Sequence, residues 1–176
     1  MLSLQSLRPT LSILLCTLIL FVGCANAPSD APTFSPAPPA PEGYATAYLY
    51  RLGAPPYTKE VRVLIDGKPV SAALENGYTW VHVRAGSRVV EGKWPKTWGG
   101  GGWPDAAVTA LFEPGKSYYF KITGKVGIRT PGPAAAVSGT MGVSSSSMIL
   151  TPSAIDAEKE LILCCRFTRA IMNHVD

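Results

Sequence analysis

Only two histidines, His82 and His174, occur among 176 residues, and neither stands at a spacing from Cys, Asp or Glu that resembles a metal site. His82 lies between Val81 and Val83, the setting of a structural histidine, and His174 falls in the last residues, where fraying is expected. Cysteine is also sparse, with four residues at positions 16, 24, 164 and 165 and no Cys-X-X-Cys pair to tune a thiol. The Ser144–Ser147 run has no base beside it and reads as a loop or polar strand. Gly99–Gly102 lacks the Gly-Lys-Ser/Thr ending that cradles phosphate. Charged residues make up 16% of the chain, and no basic run is interleaved with aromatics, so nucleic acid is not an expected partner. An enzyme of this size should group acids, bases or nucleophiles. None are grouped, and we expect no catalytic residue, cofactor or metal.

The N-terminus is better marked. Leu11 to Val22 form an apolar run flanked by Arg8 and followed directly by Gly23 and Cys24. That run falls short of the roughly 20 apolar residues that a spanning helix needs, although an uncleaved anchor is the competing reading. The segment resembles the lipobox of bacterial lipoproteins, with Phe21 where Leu is usual. The resemblance implies a diacylglyceryl group, carrying palmitate-like chains, on the Cys24 sulfur, with cleavage after Gly23 and acylation of the new amino terminus. Two or more chains hold a protein stably on a membrane. Ala25 stands where Asp would resemble an inner-membrane retention signal, so the expected location is the outer membrane, facing the periplasm. The outer leaflet of the inner membrane is the alternative. Loss of residues 1–23 removes Arg8 and no acid, taking the formal charge from +4 to +3.

Residues 24–41 follow as a lipidated cysteine and a tether rich in Pro, Ala and Ser. Such a composition buries little apolar surface and predicts a disordered, polyproline-like linker, reaching roughly 50 Å at about 3.1 Å per residue. Cys164 and Cys165 are adjacent, and a ring closed between neighbours is disfavoured by ordinary disulfide geometry. The expectation is one buried thiol and one that is exposed or paired with another chain, with a redox role ranked below burial.

From Tyr44 to Leu150, strand and turn signals recur at sandwich spacing. Tyr44–Tyr50 alternates, Val61, Val63 and Ile65 share a face, and Asp66-Gly67 is a hairpin turn leading into 68–74. Reversals at Glu75-Asn76-Gly77 and Ala85-Gly86 bound strands at 78–83 and 87–94. Ala107–Phe112, the Glu113–Lys116 turn, Ser117–Thr123 and a short Met148–Leu150 complete the set. A Tyr44, Tyr48, Tyr50 face reads as sheet packing, and Thr130–Ala136 as a connection without chemistry. Thr151-Pro152-Ser153 with Asp156 starts a helix, with Ala154, Ala157, Leu161 and Cys164 inward and Glu158, Lys159 and Glu160 toward water. Residues 161–167 fit either its continuation or an edge strand. The fold class is thus mainly β, a small antiparallel β-sandwich of about seven or eight strands with one C-terminal helix.

Three elements in order, Ala47–Arg51, Val63–Val70 and Glu113–Phe120, resemble the DUF2846 domain family over residues 42–170, leaving 171–176 as a tail. Ala85-Gly86 stands where the family often has Pro-Gly, and the glycine run at 99–102 is outside its pattern. The resemblance implies a small, often lipid-anchored β-sandwich of uncharacterised function.

Three of the four tryptophans, Trp94, Trp98 and Trp103, fall within one stretch beside Lys93 and Lys96, joined by four glycines. Exposed tryptophan is enriched at contact sites, whereas a cap on the sandwich core would explain the same residues without a ligand. As a contact surface, Trp94, Lys96, Trp98 and Trp103 would suit an envelope glycan such as peptidoglycan, a bilayer interface or a groove on a partner protein. The sequence thus predicts a non-catalytic, lipid-anchored envelope protein that binds or scaffolds through loop 94–105. The alternative is an accessory subunit joined to a complex by sheet-edge pairing.

Overall fold

Period-two alternation along the first strand sets the layers of the molecule. β1 (Tyr44–Arg51) sends Ala45, Ala47 and Leu49 into a core between two sheets, and Tyr48 and Tyr50 into a second cluster on the other side. The computed structural model describes residues 25–54, 59–96, 105–128, 141–151 and 154–176, with backbone alone at 125–128 and 141–151. Outside them lie the expected signal peptide 1–23, Cys24, Trp98, Trp103, the Gly99–Gly102 run and the 130–136 connection.

The chain continues through β2 (Val61–Ile65), β3 (Lys68–Ala73), β4 (Gly77–Arg84), β5 (Gly86–Lys93), β6 (Ala106–Phe112), β7 (Ser117–Ile128) and β8 (Met141–Thr151). Helix α1 (Ala154–Cys164), β9 (Arg166–Phe167) and β10 (His174–Val175) complete it. One sheet has the order β10-β4-β1-β7-β8, with β9 also on β4, and the other the order β3-β2-β5-β6. Among the described residues the molecule is therefore mainly β, a small two-sheet sandwich with one helix. The first sheet is mixed rather than wholly antiparallel, because β1 pairs antiparallel with β4 and parallel with β7. The Glu113–Lys116 turn crosses from one sheet to the other and delivers β7 beside β1 in the same direction. Asp66 and Gly67 both take positive φ, 49° and 76°, as a type I′ hairpin requires. The Asp66 carboxylate also accepts the Val89 N–H at 2.9 Å and pairs with Arg88, which together hold its pKa below the ordinary carboxylate range.

β8 is much longer than Met148–Leu150 and includes the Ser144–Ser147 run. Its register runs from Tyr119↔Thr151 to Ile128↔Met141, with an irregularity between Lys125 and Val126. Backbone pairing to an extended β7 explains a strand whose small polar residues carry almost no hydrophobic alternation.

α1 covers the outer face of the mixed sheet, burying Ala157 and Leu161 against Tyr48, Tyr50, Tyr78 and Tyr119. Tyr48 and Tyr119 stack with centroids 4.8 Å apart. Two acids expected to face water instead meet the sheet: Tyr119 donates to Glu158 at 2.6 Å and Tyr50 donates to Glu160 at 2.8 Å. Ala154 is exposed rather than inward. The helix ends at Cys164, and Cys165 N–H closes its last turn on Leu161 O at 3.0 Å. Contrary to expectation, Cys164 and Cys165 form a disulfide with each other. The turn from α1 into β9 brings the two sulfurs together, and Cys165 is buried.

Residues 25–41, expected as a free tether, lie across the same face. Ala27 N–H and Ala25 O hydrogen-bond the backbone of Glu75, both at 2.9 Å, and Phe167 N–H donates to Pro32 O at 2.8 Å. Phe34 packs 5.3 Å from the Tyr78 ring and 5.8 Å from Tyr48. The phenol of Tyr78 accepts Ser35 N–H, and that of Tyr48 accepts Ala37 N–H. Composition misled here because one aromatic and a row of tyrosine hydroxyls suffice to seat a segment that has no core of its own. The C-terminal tail is also part of the domain, since β10 pairs with β4 and Val175 is 1% exposed.

Burial raises the pKa of Tyr48, Tyr78 and Tyr119, and the Glu158 carboxylate raises that of Tyr119 further. A phenol whose folded pKa exceeds its unfolded value contributes stability that is complete below about pH 10 and is lost as pH rises through the folded value. The midpoint of urea unfolding should therefore fall above about pH 10, and less steeply for Tyr119→Phe. An equal slope in that variant would contradict this assignment.

Candidate functional site

One end of the sandwich is organised by a buried charge. Leu49 and Arg51 share the inward face of β1, so alternation carries a guanidinium into the interior. Arg51 has no exposed surface, and such a charge requires partners. Its Nε lies 3.1 Å from Glu75 Oε2 and donates to Ala54 O at the same distance. Nη1 donates to Lys59 O and to Ala73 O, and the guanidinium lies 4.8 Å from the centroid of the Trp94 ring. Glu75, 5% exposed, also accepts Gly53 N–H at 2.6 Å. One ion pair thus ties together the end of β1, the loop after it, the end of β3 and the exit of β5.

Registers place several chain ends at this pole: Tyr50↔Tyr78, Val61↔Ala73, Arg62↔Lys93 and Gly92↔Ala106. Beside it opens a groove of about 590 Å³. It is lined by Glu60, by Arg62 and Leu64 of β2, and by residues 93–96 with Asp105, Arg62 lying beside Lys93 in the sheet register. Asp105 Oδ1 accepts Trp94 N–H at 3.3 Å, pinning together the two roots of the tryptophan loop. Lys93 pairs with Glu91 at 3.4 Å, while Lys96 and Arg62 are exposed. The groove presents three cations, Arg62, Lys93 and Lys96, against the carboxylates of Glu60 and Asp105. Its volume fits a small ligand or a segment of a polymer.

The four loop residues singled out in the sequence are placed unequally. Trp94 is 4% exposed, so it is a wall and a core residue beneath Arg51 rather than a projecting contact face. Lys96 lines the groove, and Trp98 and Trp103 lie outside the described residues. Sequence reading missed Arg62, Glu60 and Asp105. The Glu60, Arg62, Leu64 alternation on β2 was the available signal, since its complement Val61, Val63, Ile65 is core.

The histidines form no rival site. His82 is 3% exposed, with Nδ1 3.4 Å from Thr46 Oγ1 and its ring 5.2 Å from that of His174. Burial, and then the charge of His174, lowers its pKa below the ordinary imidazole value. His174 is not frayed but is held in β10, 6.1 Å from the Tyr44 ring, beside the Tyr44–Asp176 hydrogen bond. Among the described residues no group of three or more His, Cys, Asp or Glu could hold a metal ion, and no helix is long and apolar enough to cross a membrane.

No family model, curated protein or solved structure matches this chain.

Removing one member of the Arg51–Glu75 pair leaves an uncompensated buried charge, so Arg51→Met and Glu75→Leu should each cost about 3–5 kcal/mol in denaturant unfolding. The double variant should be less damaged than the sum of the two. Additive losses would show that the pair does not act as a unit.

Proposed function

We propose that the chain is a lipid-anchored cell-envelope protein with a non-catalytic binding or scaffolding role, exercised through the groove and the tryptophan-rich loop rooted in it. The observation that carries the reading is the groove itself. Arg62 and Lys96 stand exposed around it at the pinned base of loop 94–105, and Trp94 is built into its wall. That arrangement suits an envelope component bearing acidic groups. Peptidoglycan, a partner protein and the headgroups of a bilayer, the three candidates from sequence, all meet this description. Anchoring at Cys24 in the outer membrane, facing the periplasm, and kinship with the DUF2846 family belong to the same proposal. The Cys164–Cys165 disulfide supports it, because disulfides persist in oxidising compartments outside the cytoplasm.

The second reading, an accessory subunit joined by sheet-edge pairing, has less support. In the four-stranded sheet, Ile171 N–H already donates to Val70 O on β3, and β8 passes beside β6.

Metabolic labelling with palmitate checks the anchor: Cys24→Ser should abolish labelling and leave the precursor uncleaved, and a labelled variant would reject lipidation. A photocrosslinking residue at position 96 should capture an envelope component in intact cells, with a several-fold drop on adding Trp98→Ala and Trp103→Ala. The same residue at position 116, on the opposite end, should not. Equal capture at 96 and 116 would reject the groove as the contact surface.

A further inference from the structure

The seating of residues 25–27 decides where a lipid on Cys24 must leave the domain, and a conclusion about the partner follows. It rests on the reading of Cys24 as the lipidation site. Ala25 and Ala27 hydrogen-bond both backbone groups of Glu75, and a Cβ added to Gly77 would lie 3.5 Å from Ala27 Cβ, so the segment runs directly over the β3–β4 turn. Cys24 is the next residue, and consecutive Cα atoms are about 3.8 Å apart. A free tether of residues 25–41 would let any face of the domain meet the membrane. A docked one puts the acylated residue directly next to a residue held on the Arg51–Glu75 pole.

The chemistry of that pole matches a lipid surface. Lys59, Arg62, Lys93, Lys96 and Arg166 lie there, Lys93 being paired with Glu91, with Glu60 and Asp105 as further acids. The last turn of α1, which leads into the Arg166↔Gly77 pairing at the same pole, leaves Ile162 60% and Leu163 87% exposed. Cations on the outer face of one sheet and exposed aliphatic side chains on that of the other, both at the same end, are the composition of an end that rests in the interface of an anionic bilayer. At the opposite end Leu111 is 65% exposed and Arg84 is exposed as well, but the other cations there are engaged: Arg88 pairs with Asp66, Lys116 with Glu113, and Lys68 donates to the Asp176 backbone carbonyl.

We propose that the partner of the groove and of the α1 tip is the anionic surface of the membrane that holds the chain. The docked residues 25–27 turn this end of the sandwich into the headgroup layer. Arg62 and Lys96 meet lipid phosphates, and Ile162 and Leu163 enter the boundary between headgroups and acyl chains. The attraction is confined to about a Debye length, which is why direct adjacency matters where a long tether would not.

The test uses the full, processed chain in vesicles of phosphatidylethanolamine and phosphatidylglycerol carrying a headgroup quencher. A fluorescent amino acid is introduced at position 163, 96 or 116. Quenching at 163 and 96 should exceed that at 116 several-fold, and should fall toward the level at 116 in vesicles without phosphatidylglycerol or on Arg62→Glu with Lys96→Glu. Vesicle flotation and the mass of the N-terminal peptide report the anchor separately. A chain that is acylated and floats, but shows equal quenching at 163 and 116, overturns the orientation and leaves the lipoprotein reading intact. Purified peptidoglycan that draws the acylated chain into the pellet while 96 stays unquenched assigns the groove to glycan instead and also overturns it. A chain without acyl mass removes the premise together with the proposal.

Discussion

The pole of the sandwich depends on one buried ion pair. Arg51 is carried inward by the alternation of β1, and the Glu75 carboxylate, three backbone carbonyls and the face of Trp94 help make that position tolerable. The same Glu75 contributes its backbone to Ala25 and Ala27. Core charge, groove wall and N-terminal segment are therefore joined through two residues. A buried pair of this kind adds little net stability compared with well-packed apolar side chains, and its contribution is to fix how the loops at this end are arranged.

Much of the fold was legible from residues. The Val61, Val63, Ile65 face and the Asp66-Gly67 turn specified the first hairpin, because a two-residue turn with positive φ at both positions leaves few alternatives. Ala157 and Leu161, two of the expected inward positions of α1, are its buried residues, whereas the expected cap residues 152 and 153 lie outside the described residues. What failed to show has a common cause, long-range pairing that leaves no local signature. β8 is held by the β7 backbone rather than by hydrophobic alternation, Glu158 and Glu160 by phenols on the sheet, and β10 by pairing to β4. The parallel β1–β7 pairing belongs to the same class, since nothing within either strand announces its direction.

The candidate site was legible only in outline. A stretch crowded with tryptophan and lysine pointed to the pole where the groove opens, yet Trp94 is buried there and the exposed groups are Lys96 and the unanticipated Arg62. The Ala47-Ala45 side of β1 contained the missing clue. Reading Ala45, Ala47, Leu49 and then Arg51 as one face predicts a buried cation that must find an acid, and Glu75 is the acid at the next chain reversal but one. The proline-rich stretch was the larger surprise, because its composition argues for disorder while Phe34 and the tyrosine hydroxyls argue for docking.

Residues 25–41 are docked on the domain rather than free, which would give the proposed lipid anchor a fixed face toward its membrane, and amide hydrogen exchange tests the docking most directly. The N–H groups of Ala27, Ser35 and Ala37, which hydrogen-bond Glu75, Tyr78 and Tyr48, should exchange far more slowly than in an unstructured peptide. Exchange at those three amides at the rate of a free chain, with β1 still protected, would contradict the docking.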